Sequence, residues 1–177
     1  MKKRNKEAKE YLFVDGYNII NDWEVLKKKA AISLEESRLE LLDILSEYHH
    51  YSGIEIIVVF DAYLVKGNNG TVEEFKGIKV IYTKENETAD HFIERTLDDI
   101  GRIKRVRVAT SDKIEQQIIL SRGGTRISAR ELEVEIYNEY NIIKRKRRLE
   151  TQKNRLHLGK LDERTLRKLH NWKRQGD

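Results

Sequence analysis

The 177-residue chain carries 35 Lys and Arg against 30 Asp and Glu, a net charge of +5, with 38% apolar residues and neither cysteine nor proline. That supplies enough apolar side chains for one domain core with a modest appendage, and the missing thiols exclude disulfides and thiolate metal sites. No apolar run nears the roughly 20 residues of a membrane span, and the basic N-terminal segment lacks the apolar stretch of a secretory leader, so the expected location is cytoplasmic with no membrane partner.

Along the chain, short apolar runs alternate with helical patterns. Residues 10–14 read as a strand that breaks at Asp15-Gly16-Tyr17-Asn18. Residues 33–53 read as a helix, with Ser33 and Glu36 at capping-box spacing, Leu34, Leu41, Leu42 and Leu45 at helical spacing, and Gly53 at the end. The β-branched run 54–62 predicts a strand covered on both faces. Gly67-Asn68-Asn69-Gly70 marks a loop and residues 77–83 another strand. Thr88 opens a helix to about Ile100, with Phe92, Ile93, Leu97 and Ile100 on its apolar face. Residues 105–112 form a strand ending in polar residues. Asp112 and Glu115 then have capping-box spacing for a helix that stops at Gly123-Gly124. A short strand at Thr125–Ile127 precedes a last helix, capped by Ser128 and Glu131 and running to about residue 143. This alternation predicts an α/β fold with a mainly parallel sheet.

Ligands of open parallel sheets bind beyond the carboxyl ends of the strands, and acidic residues gather there. Asp15 ends the first strand, Asp61 the second, Asp112 follows the strand ending at Ala109, and Asp90 lies in the first turn of a helix that starts at the same edge. Glu94 is one helical turn beyond Asp90, and Glu87 opens the same segment. Converging carboxylates raise one another's pKa unless a cation neutralises them. Oxygen-only ligands suit a hard divalent ion such as Mg²⁺, and the fitting chemistry is metal-assisted phosphodiester hydrolysis, with Asn18 or Ser111 contacting water or phosphate. Each acid also has a local explanation: Asp15-Gly16 as a turn, Asp112 as an N-cap, Asp90 as a first-turn dipole partner. Both explanations stand at this level.

Other α/β sites are absent from the sequence. There is no Gly-x4-Gly-Lys-Ser/Thr phosphate loop and no Gly-x-Gly-x-x-Gly dinucleotide turn, so no organic cofactor is expected. An aspartyl-phosphate enzyme needs a second Asp two residues after the first, and position 17 is Tyr. A receiver-type domain wants an acidic pair at the first strand end and a late Lys, and neither is present. The five histidines are scattered.

The segments FVDGYNII, VVFDA, ETADHFIER and VATSD, in this order, resemble the NYN domains, relatives of the PIN nucleases, and GGTRISARELEVEI resembles their YacP-like branch. The resemblance covers about residues 10–143 and implies a PIN-like, Rossmannoid three-layer sandwich with a mainly parallel central sheet. It implies an endoribonuclease dependent on Mg²⁺ or Mn²⁺, with Asp15, Asp61, Asp90 and Asp112 as the metal site and Asn18 as its polar member. Glu94 is a further ligand candidate from helix geometry alone. The YacP-like branch is associated with mRNA cleavage on the ribosome, which implies single-stranded mRNA as substrate and the ribosome as partner.

The domain organisation expected is a nuclease domain over residues 1–143 and a basic, partly helical C-terminal extension over residues 144–177. That extension holds thirteen basic and four acidic side chains and opens on Lys144, Arg145, Lys146, Arg147 and Arg148, a polyanion-binding pattern that would suit ribosomal RNA. Tyr17, Trp23 and Tyr63 are candidate stacking platforms for bases, with Tyr17 preferred for its neighbours. A non-catalytic RNA- or ribosome-binding module, using the extension alone, is the competing reading.

Overall fold

The computed structural model describes residues 9–62, 70–101 and 104–173, with side chains of the last helix described as far as residue 155. Its elements are β1 (Glu10–Asp15), α1 (Gly16–Asp22), α2 (Glu24–Ala30), α3 (Leu34–Ser52), β2 (Glu55–Phe60), β3 (Val72–Phe75), β4 (Ile78–Tyr82), α4 (Ala89–Ile100), β5 (Arg105–Ala109), α5 (Lys113–Ser121), β6 (Thr125–Ile127) and α6 (Ala129–Lys173).

Six strands form one sheet in the order β3-β4-β2-β1-β5-β6, parallel throughout except for the β3–β4 hairpin. Alternation along β1 feeds two cores. Leu12 and Val14 face one side, where α1, α2, α3 and the start of α6 pack through Ile19, Leu26, Leu41, Leu45 and Leu132. Phe13 faces the other, against Ala89, Ile93 and Leu97 of α4 and Ile119 of α5. The result is a three-layer α/β sandwich.

The connectivity positions the site. From β1 the chain moves outward to β2 and β4, then crosses back over the sheet through α4 to enter β5 on the other side of β1. Strand order therefore reverses between β1 and β5, and such reversals open a crevice at the carboxyl edge because successive crossover helices lie on opposite faces. Register fixes what lines it: Asp15 pairs with Val59 of β2, and Val14 with Ala109 of β5. Asp15, Asp61 and Thr110 thus reach one edge.

Several local expectations hold. Ser33 Oγ accepts from Glu36 N at 3.2 Å, and Gly53 ends α3 with φ 71°. Ser128 and Glu131 form a reciprocal capping box, with Ser128 N donating to Glu131 Oε2 at 2.7 Å and Glu131 N to Ser128 Oγ at 3.2 Å. Other elements differ from expectation. Residues 16–30, to which the sequence pattern assigned no element beyond the break at Asp15–Asn18, form α1 and α2, because Asp15 ends the strand and caps a helix at once. The edge strand β3, with its two exposed Glu residues, carries no apolar alternation to reveal it. Helix α6 runs on past residue 143 to Lys173. By internal contacts, residues 1–139 and 140–177 are separate compact units. The expected loop at 67–70 falls outside the described residues except for Gly70. Among the described residues no helix is long and apolar enough to cross a membrane.

Candidate metal centre

Asp15 closes β1 and caps α1, its Oδ1 accepting from Asn18 N at 3.4 Å. The glycine after it is set by packing: a Cβ on Gly16 would lie 2.2 Å from the Phe60 ring. The Asp-Gly pair is therefore both a cap and a close approach, and the carboxylate it delivers is 7% exposed.

Across the crevice, β5 ends at Ala109 and the chain turns through Thr110 into α5. Asp112 caps α5, its Oδ1 accepting from Ile114 N at 2.8 Å and Glu115 N at 3.2 Å. Glu115 does not complete a reciprocal box. Its side chain turns inward, where Oε2 accepts from the fully buried Thr110 hydroxyl at 2.5 Å, and the residue is 3% exposed. Thr110 Oγ1 in turn accepts from Asp112 N at 3.2 Å, so the hydroxyl has one orientation. The third acid comes from the crossover helix, whose cap Thr88 sets Asp90 in the first turn.

Asp15, Asp90 and Glu115 each place one carboxylate oxygen within 4.8 Å of the other two. Burial first, and then the charges of its neighbours, push Asp15 up to about 7 and Glu115 up to about 8. Asp61 is raised as well, chiefly by burial, with Asp90 adding to it. Glu115 Oε1 is buried with no hydrogen-bond partner among the described residues. A buried carboxylate oxygen without a donor is costly, and a hard cation coordinated by oxygen relieves it. The donor set is all oxygen with no cysteine or histidine, so it fits Mg²⁺ or Mn²⁺ and not a thiophilic ion.

The other candidate residues fall as follows. Asp61 follows β2, half-buried, and Oδ1 accepts from Ala89 N at 2.7 Å, tying it to the start of α4 beside Asp90. Asp112 is exposed and engaged as the α5 cap. Asn18 Oδ1 accepts from Ser111 N at 2.7 Å, clamping the β1–α1 junction to the β5–α5 turn. Glu94 is turned to Arg122 at 3.5 Å, and Glu87 to Arg95 at 2.8 Å. Tyr17 is 6% exposed with its ring 5.0 Å from that of Phe60, so its hydroxyl and not its face is what it offers. Trp23 is buried at 4% exposure and its indole donates to Ala129 O at 2.8 Å, a core pin and no stacking platform. Tyr63 lies outside the described residues. Lys144–Arg148 are exposed on α6.

The residue that sequence reasoning missed is Glu115. Its spacing from Asp112 suggested a local cap, yet Glu115 and Ile119 are the buried residues of α5, one turn apart. An acid on the buried stripe of an amphipathic helix was the available signal.

A mainly parallel sheet with an acidic crevice at its reversal point defines a Rossmannoid α/β protein of the PIN-like kind. The family model of the YacP-like NYN domain matches residues 12–174. The chain belongs to the YacP-like NYN family, and the NYN domain belongs to a nuclease superfamily. It is 41% identical over 167 residues to the uncharacterized protein YacP of Bacillus subtilis strain 168, covering 93% of this chain and 97% of that protein. The crystal structure of Rae1 (YacP) from Bacillus subtilis matches with a TM-score of 0.70 at 41% identity, covering 93% of this chain and 95% of the other. A variant of that protein with one tryptophan replaced by leucine matches with the same TM-score over 81% of this chain and 84% of the other.

Proposed function

We propose that the chain is a divalent-cation-dependent endoribonuclease that hydrolyses phosphodiester bonds in single-stranded mRNA, in association with the ribosome. The observation that carries the metal-dependent part is Glu115 Oε1, buried without a donor, in a carboxylate trio spanning no more than 4.8 Å. Membership of a nuclease superfamily supports the reaction class, and the ribosomal link is the one implied by the resemblance to the YacP-like branch.

Asp15, Asp90 and Glu115 would hold the ion, with Asp61 and Asp112 flanking it. A bound Mg²⁺ or Mn²⁺ supplies Lewis-acid stabilisation of phosphate charge and a more acidic water. Thr110 holds Glu115 in one rotamer, and Asn18 fixes the two turns that carry Asp15 and Glu115. Asp61, tied to Ala89 N, holds the start of α4 and so the height of Asp90. The exposed run Lys144–Arg148 is suited to RNA phosphates, with ribosomal RNA as the proposed target.

Purified protein with Mg²⁺ or Mn²⁺, with and without ribosomes, is expected to cut single-stranded mRNA to 5′-phosphate and 3′-hydroxyl ends. Asp15→Asn and Asp90→Asn should each abolish cutting while leaving the fold intact. Undiminished cleavage in both variants sinks the assignment. RNA binding that survives EDTA, with no cleavage under any metal, would select the non-catalytic module instead.

A further inference from the structure

Four arginines of the described residues before α6, Arg95, Arg107, Arg122 and Arg126, are each ion-paired to a carboxylate. Arg38 is not. It projects from α3, half-buried, and Nη1 donates to the neutral Tyr17 hydroxyl at 3.1 Å, with no carboxylate at ion-pair distance among the described residues. A guanidinium has five donors in a planar fork, and one neutral acceptor leaves most of them unused.

Its surroundings belong to the crevice. Tyr17 is two residues beyond Asp15, and its ring is wedged against Phe60, the residue before Asp61. Phe60 stacks in turn on Tyr82, at the end of β4, with centroids 5.8 Å apart. The hydroxyl that holds Arg38 feels the charge of Asp61 as well as that of Arg38. The packed aromatic wall thus carries a cation, already oriented, to the carboxyl edge where the acids gather. Part-burial of a cation without a counter-ion is unfavourable, and an anion arriving there relieves it.

We propose that Arg38, oriented by the Tyr17 hydroxyl, binds a backbone phosphate of the RNA next to the scissile one. This rests on the nuclease reading, in which a strand crosses the acidic crevice and its non-reacting phosphates need a partner of opposite sign. The fork of Arg38 would take two phosphate oxygens while one donor stays on Tyr17, which fixes the approach direction of the strand. Tyr17 then serves RNA through its oxygen, as a positioning residue for Arg38.

The test measures anisotropy of a short fluorescein-labelled oligouridylate in EDTA across a salt series, for the full chain and for Arg38→Gln, Arg38→Lys and Tyr17→Phe. Arg38→Gln is expected to weaken binding about tenfold, the range for a hydrogen bond to a charged group. It should also flatten the log-affinity against log-salt slope by about 0.7, one single-strand phosphate contact. Arg38→Lys should keep the slope but lose affinity, since an ammonium cannot span both partners, and Tyr17→Phe should lose a few-fold at unchanged slope. Wild-type affinity and slope in a folded Arg38→Gln protein would overturn the proposal. If that variant does not fold, the Arg38 Nε–H resonance of the unmodified chain decides: it should shift on addition of the oligouridylate, and a static signal overturns the proposal. Cleavage with Mn²⁺, assayed in parallel, separates failure of the nuclease reading from failure of the Arg38 contact, because binding in EDTA needs no metal.

Discussion

Replacing Glu115 by glutamine keeps the shape and the acceptor for Thr110 while removing one buried charge. In the folded chain Glu115 titrates at about 8 instead of 4.5, because it is 3% exposed and shares the crevice with Asp90, Asp15 and Asp112. At about 1.4 kcal/mol per pH unit, ionised Glu115 opposes folding by on the order of 5 kcal/mol when no cation is bound. The sign follows from proton counting. Below pH 4.5 both states hold the proton and nothing is lost. Between 4.5 and about 8 the unfolded chain has released it and the folded chain has not, so stability falls as pH rises, and above 8 the loss is complete. With roughly 2–4 °C per kcal/mol for a chain of this size, metal-free protein should lose on the order of 10 °C in Tm between mildly acidic and mildly alkaline pH, relative to Glu115→Gln. Asp15, raised from 3.8 to about 7, adds a slope of the same sign that both proteins share. Scanning calorimetry in EDTA and in Mn²⁺ reads both effects: Mn²⁺ should restore the wild-type Tm most at alkaline pH and restore the variant less. Parallel Tm–pH curves for the two proteins, with equal Mn²⁺ gains, would refute the reasoning.

Other substitutions test the scaffold around the site. Gly16→Ala drives a methyl group into the Phe60 ring and should cost about 1–3 kcal/mol in urea unfolding, with weakened Mn²⁺ binding because Asp15 moves with it. Asn18→Ala strands Ser111 N; a loss of about 1–3 kcal/mol and faster exchange of that amide are expected. Arg107 joins β5 to Glu10 of β1 at 2.6 Å and to Glu135 of α6 at 2.9 Å, while Glu135 also accepts from the Tyr48 hydroxyl of α3. Arg107→Met leaves two part-buried carboxylates facing each other and should cost about 3 kcal/mol, the low end for a broken buried pair because Glu135 keeps 33% of its side chain exposed.

The α/β alternation, the buried β1 and β2, the α3 and α4 stripes and the caps at Ser33, Thr88, Asp112 and Ser128 were readable because each is a local property. Side-chain periodicity and cap chemistry act within four residues, so the amino-acid order alone carries them. Helices α1 and α2 were not readable, since Asp15-Gly16 is equally good chemistry for a turn. The position of Gly16 had a reason visible only across the sheet, where Phe60 fills the space a Cβ would need.

The acids show the same division. Their concentration at strand ends and helix starts follows from the sequence, because the parallel alternation fixes which edge each one occupies. Which of them meet depends on the reversal of strand order beside β1 and on the rotation of α5, and both are set by packing between residues distant in the chain. That rotation turns Glu115 inward beside Asp15 and Asp90 and leaves Asp112 at the surface as a cap. Spacing along one helix tells two acids apart by their position, but only the core that covers one face decides which of them loses its water.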